Sequence, residues 1–228
     1  MSLMATYRKI PLVSGQIYHI FNRSIARQPI LLSNRDYQRA LNVLAFYSYF
    51  KPQLRFSHFK RLADSQKTEL MDNLKKLGEM QIELYSFSFM PNHIHFLVKE
   101  IREKATSTFM SNFQNSYAKY FNTRNDRNGG LFQQMFKSVL IETDEQFIHV
   151  ARYIHLNPVT AYILKNVDGL ANYPWTSFSA YVGKHNLDFL NKEFLLSFFP
   201  SLDHFINFTK DQVDYQRRLD RIRHLLLE

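Results

Sequence analysis

The chain has no cysteine. That excludes a disulfide scaffold, a thiolate zinc site and a thiol nucleophile, and it fits a reducing compartment. Glycine and proline are scarce, at six and seven in 228 residues, which excludes collagen-like and low-complexity classes. No uninterrupted apolar run approaches the ~18–20 residues of a membrane span. No apolar segment of the kind found in secretory signals follows the first charges. Together these absences predict a cytoplasmic protein. Acid is also in deficit: 20 Asp and Glu stand against 29 Lys and Arg, a formal net charge of +9 with histidine neutral.

Aromatic residues are abundant, with 21 Phe, 13 Tyr and one Trp. A chain so rich in aromatics can bury enough apolar surface to fold, so disorder is excluded. The length predicts one domain with an appendage. The positive charge is spread along the chain. Residues 1–34 hold Arg8, Lys9, Arg23 and Arg27 and no acid, and residues 51–76 hold seven cations against Asp64, Glu69 and Asp72. Spread charge suits a folded surface that tracks phosphates; it is equally the surface of an ordinary basic enzyme.

Periodicity orders the elements. Residues 16–23 alternate apolar and polar and predict a strand. Asn34–Phe50 has helical spacing behind a Ser33 or Asn34 cap. Residues 51–79 form a polar, basic excursion. Residues 82–90 and 93–99 flank Pro91-Asn92 and predict a hairpin. A helix over 106–121, a loop over 122–130 and a strand over 131–141 follow. A helix begins at Asp144, with acids in its first turn where the dipole favours them, and Pro158 is expected to end or kink it. Asp211–Leu227 is a charged amphipathic segment. The order β-α-β-β-α-β-α predicts an α+β, ferredoxin-like core: an antiparallel sheet with helices on one face and a C-terminal helical extension. The expected division is a catalytic domain over 4–182, with a basic insertion at about 51–79, and an extension over 183–228.

Two clusters could carry chemistry. His93-Ile94-His95 lies on a predicted strand, so its two imidazoles project to one face. Such a pair is half of a divalent metal site, or two unrelated histidines facing solvent. His149, Tyr153 and Asn157 recur at i, i+4 and i+8 on a predicted helix. That stripe is either a solvated helix face or a tyrosine nucleophile with an amide oxygen beside it. Tyr117 and Tyr120 sit at helical spacing, which favours packing or base stacking over a nucleophile role. Lys119, Arg124 and Arg127 are near enough in sequence to hold phosphates.

The segment Phe89-Met90-Pro91-Asn92-His93-Ile94-His95-Phe96-Leu97 resembles the His–hydrophobic–His (HUH) motif of single-tyrosine transposases. Tyr153-Ile154-His155-Leu156-Asn157-Pro158-Val159 resembles their catalytic Tyr-x-x-x-Asn helix. Gly130-Leu131-Phe132-Gln133-Gln134 and Tyr173-Pro174-Trp175-Thr176-Ser177-Phe178 are similar to the branch called REP-associated tyrosine transposases. The resemblance spans roughly residues 14–182. It implies an enzyme that cuts and rejoins single-stranded or hairpin DNA, with Tyr153 as nucleophile. It implies His93, His95 and Asn157 as ligands of a divalent metal, Mg or Mn, with His149 as an auxiliary group. Arg23, Tyr117, Lys119, Tyr120, Arg124, Arg127 and Lys137 are the expected DNA contacts. A 5′-phosphotyrosine would conserve the phosphodiester energy, so a second 3′ end could reverse the step without ATP. An inactive relative that only binds structured nucleic acid, and a phosphodiesterase that uses water, would share these residues. Monomer and homodimer are both compatible with the sequence.

Overall fold

A computed structural model describes residues 11–211 and 213 of the chain. Most of the predicted amphipathic segment Asp211–Leu227 therefore lies outside the described residues. The strands are β1 (Ile17–Arg23), β2 (Glu83–Met90), β3 (His93–Lys99) and β4 (Lys137–Ile141). The helices are α1 (Asn34–Ser48), α2 (Phe56–Phe59), α3 (Asp64–Leu77), α4 (Ala105–Arg124), α5 (Asp144–Thr160), α6 (Phe178–Tyr181), α7 (Lys192–Leu196) and α8 (Leu202–Lys210). The strands form one antiparallel sheet in the order β2-β3-β1-β4. This is the ferredoxin-like order that the sequence predicts.

Register decides which side chains share a face, because directly opposed residues point to the same side. His19, Phe21 and Arg23 of β1 oppose Leu97, His95 and His93 of β3. Lys137 of β4 opposes Phe21, and Ser88 and Met90 of β2 oppose His95 and His93. The other face carries Tyr18 and Ile20 with Ile94, Phe96 and Val98, all buried. The two crossover helices α1 and α4 cover that apolar face. Phe109 and Phe113 of α4 pack edge-on against Phe96 at 5.5 and 5.4 Å between ring centroids. Each such buried ring contributes roughly 1.5–3 kcal/mol by leaving water.

The expectation of helices on one face holds only for the two crossovers. Helix α5 crosses the opposite face, where Phe147 meets Tyr85 of β2 at 5.0 Å and Tyr153 meets His95. Periodicity shows that a helix has an apolar side but not which face of a sheet receives it. Thr143 caps α5 by accepting from the Gln146 backbone N–H, while the Gln146 side chain accepts from the backbone N–H of Glu142. Pro158 does not end the helix where expected. It sits in the last turn, where a missing N–H removes one bond only, and α5 runs on to Thr160.

Other boundaries move for local reasons. The strand expected from 131 starts at Lys137, and its first residues instead form a bridge between Phe132 and Ser24. The 51–79 excursion folds into α2 and α3, and α3 ends on Gly78 in the left-handed region (φ 65°), where a Cβ is costly. The free edge of β2 is covered. Phe89 N–H donates to Trp175 O, Ser177 N–H donates to Phe87 O, and Asn191 N–H donates to Leu84 O. Such cover blunts an edge that would otherwise pair with another chain. Trp175 also stacks on Tyr37 at 5.2 Å. The extension beyond residue 183 packs back onto α5. Arg152 donates to Phe208 O of α8 at 3.3 Å and lies 4.3 Å above the Phe208 ring.

Candidate active site

His93 and His95 leave β3 on the face that α5 covers, and their rings stand 5.0 Å apart. Each has a partner on one nitrogen. His93 Nδ1 lies 2.6 Å from Asn92 Oδ1, and an amide oxygen can only accept, so the ring donates from Nδ1. Asn92 is itself held by donating to Arg27 O. His95 Nδ1 lies 2.9 Å from His19 Nε2. His95 is 5% exposed, yet its Nε2 is buried without a hydrogen-bond partner.

Both imidazoles are held neutral. Burial, followed by the charge of Arg23, pushes the pKa of His93 down to about 4. Burial, followed by His19, His93 and Arg23, holds His95 well below the usual histidine range. Neutral imidazole is the form that ligates metal.

Tyr153 enters from α5. Its ring centroid is 5.8 Å from that of His95 and 6.0 Å from that of His19. Asn157 lies one turn further along α5 and is 4% exposed, with its side-chain Nδ2 buried and unbonded. The structure therefore brings His93, His95 and Tyr153 together and sets Asn157 next in line on the same helix.

His149 departs from the stripe. Residues four apart drift about 40° around a helix, so 149 and 157 are about 80° apart. That drift turns His149 toward α8. Arg152 donates to its Nδ1 at 2.6 Å, and its ring lies 5.5 Å from Phe208. Burial and then Arg152 lower its pKa, while Glu145 opposes them. The auxiliary role expected of His149 has no geometric support.

The expected DNA contacts divide between two layers. Arg23 opposes His93 on the sheet face that carries the histidine pair, and Lys137 is exposed opposite Phe21. Lys119, Tyr120 and Arg124 line a cleft on the α4 side, the opposite layer. Arg127 is spent on the 122–130 loop, donating to Asn122 Oδ1 and Gly130 O. Tyr117 is a correction: it is 1% exposed and donates its hydroxyl to Ile30 O, so it offers no face to a base.

Sequence reasoning missed His19. Its signal was present, since the alternation of β1 puts residue 19 on the face of Phe21 and Arg23. Only the register shows that this face is also that of His95. It also missed the buried His155, whose Nε2 lies 2.9 Å from Ser177 Oγ among Phe178, Tyr181 and Phe205.

Comparison with known proteins bears on the family resemblance and on the fold. A family model described as "Transposase IS200 like" matches residues 49–157, from the end of α1 to Asn157. A solved structure described as a REP-associated tyrosine transposase bound to a REP hairpin shares the fold. Its TM-score is 0.51 at 17% identity, over 81% of this chain and 90% of that one. A transposase candidate from Deinococcus radiodurans R1 is a looser likeness, with TM-score 0.36 at 13% identity, over 66% of this chain and 95% of that one. No curated protein sequence matches the chain. Over residues 49–157 the chain is similar to IS200-like transposases, and its fold is similar to that of the REP-associated tyrosine transposase.

Proposed function

We propose that the protein cuts and rejoins single-stranded or hairpin DNA through Tyr153, within its own chain. The observation that carries this reading is the 5.8 Å approach of the Tyr153 ring to His95 of the same polypeptide. The tyrosine and the histidine pair thereby face one another across α5 and the sheet.

The donor set fits a divalent metal. His95 Nε2 is buried without a partner. His93 spends Nδ1 on Asn92 and keeps Nε2 for a ligand. Asn157 has its amide Nδ2 buried and unbonded, and amide N and O are interchangeable by a flip of the side chain. Among the described residues there is no group of three His, Asp or Glu arranged to hold a metal. The Asn157 amide oxygen would be the third ligand, a set that suits Mg or Mn with positions open to phosphate and water. When bound, the metal supplies charge stabilisation at a non-bridging phosphate oxygen.

The chain's own groups do the rest. The Tyr153 oxygen loses its proton and attacks phosphorus. The bond from phosphorus to the 3′ oxygen breaks, and its electron pair stays on that oxygen, which takes up a proton. The products are a 5′-phosphotyrosine and a free 3′-hydroxyl. A 3′-hydroxyl from a second end reverses the step with no external energy. Arg23 beside His93, and Lys137 on the neighbouring edge strand, hold backbone phosphates on this face. The hairpin named for the solved REP-associated relative supports DNA as the partner.

The test uses a 3′-labelled hairpin oligonucleotide with Mn²⁺. The wild-type chain forms a denaturant-stable adduct, and Tyr153→Phe forms none. An adduct of equal yield from Tyr153→Phe would sink the assignment.

A further inference from the structure

A cleft of about 720 Å³ opens between α1, α2 and α4, on the layer opposite Tyr153. Pockets that hold drug-sized molecules are ~300–1,000 Å³. Five cations converge on it: Arg35 and Arg39 one turn apart on α1, Arg55 just before α2, and Lys119 and Arg124 from α4. Among the described residues no carboxylate lines it. The nearby acid, Asp36, is buried and already taken by Ser33, Tyr120 and Arg124.

Arg39 carries the argument furthest. Its guanidinium lies 4.3 Å over the Phe56 ring and 5.1 Å over the Tyr120 ring. Its Nε is buried without a hydrogen-bond partner, and it has no ion pair among the described residues. Desolvation lowers its pKa, which shows that burial disfavours its charge there. Arg35 and Arg55 are exposed and have no ion pair among the described residues either. Converging like charges repel one another, and a polyanion relieves that repulsion. Tyr120, half-buried at the cleft, adds aromatic surface on which an unpaired base stacks.

We propose that this cleft is a second nucleic-acid seat, holding the phosphates of a single-stranded segment of the DNA that Tyr153 cuts. The inference rests on the DNA reading above and extends it to a separate surface. The sheet stands between the two sites, so the cleft cannot hold the scissile phosphate; it holds another part of the strand. It also gives the basic insertion a role, because Arg55 and Ser57 from that insertion form one wall.

The experiment measures binding of random-sequence 40-nucleotide single strands by fluorescence anisotropy across a salt series. All variants carry Tyr153→Phe, so no cleavage intervenes. The triple change Arg35→Gln, Arg39→Gln, Arg55→Gln should weaken binding roughly tenfold or more and lower the salt slope by about 2, at ~0.7 per lost phosphate contact. The double change Arg35→Gln, Arg55→Gln leaves the Arg39 stack in place and should lower the slope by about 1.4. It stays informative if the triple variant fails to fold. Unchanged affinity and slope in the double variant would overturn the proposal. Loss confined to duplex DNA, with single strands bound as before, would overturn it too. A wild-type chain that binds through the cleft but forms no adduct would instead refute the nucleophile assignment, leaving the cleft intact.

Discussion

His19 Nε2 and His95 Nδ1 lie 2.9 Å apart on neighbouring strands, with the two rings stacked at 5.1 Å. With His95 Nε2 kept as a lone pair, Nδ1–H donates to His19. That bond fixes both the tautomer and the orientation of the ring. Outer partners of this kind typically carry about 10–100-fold in metal affinity. His19→Leu should therefore weaken Mn²⁺ binding by about that range in calorimetry of DNA-free protein, with the fold unchanged. Unaltered affinity would show that packing alone orients His95.

His93→Ala and His95→Ala should each abolish tight metal binding, and adduct formation with it. Metal titration and the adduct assay are read together. Metal-dependent cleavage at full rate in both variants would place the site elsewhere.

Tyr117→Phe removes a buried hydroxyl and leaves Ile30 O without its donor. The unpaired carbonyl costs about 1–3 kcal/mol. Urea unfolding should show that loss, while adduct formation persists. A missing adduct in a well-folded Tyr117→Phe would return this tyrosine to the site.

His155 makes acid stability a readout of the core. Burial pushes its pKa down to about 3. Its Nδ1 is buried without a partner, so protonation there puts an uncompensated charge among aromatic rings. Below pH 6.5 the unfolded chain binds this proton and the folded chain does not. Stability is thus full above pH 6.5 and falls as pH drops toward 3, by up to ~1.4 kcal/mol per unit. His155→Gln should flatten that part of the profile relative to wild type. Parallel profiles would mean that the histidine is hydrated or displaced before it titrates.

Much of this was legible in the chain. The alternation around His93 and His95 predicted the observed bounds of β3, because a buried strand repeats every two residues. The Tyr153 and Asn157 spacing predicted a shared helix face, and both do turn inward. Three things were not legible. Tyr117 carries the same helical signal whether it stacks on a base or fills the core. His149 lies in the same stripe as Tyr153, yet accumulated helical drift turns it toward α8. Pro158 reads as a stop, although one lost hydrogen bond in a last turn is tolerated.

The sequence alone determined the element order, the same-face histidine pair, the tyrosine helix and the basic character. These depend on periods of two and 3.6 residues, which are local. Tertiary structure decided that α5 covers the face opposite the crossover helices and that His19 backs His95. It also decided that the cations of α1 and α4 and Arg55 before α2 meet around one cleft. Each of these joins residues far apart in the chain, and only the pairing of strands and the packing of layers brings them within reach.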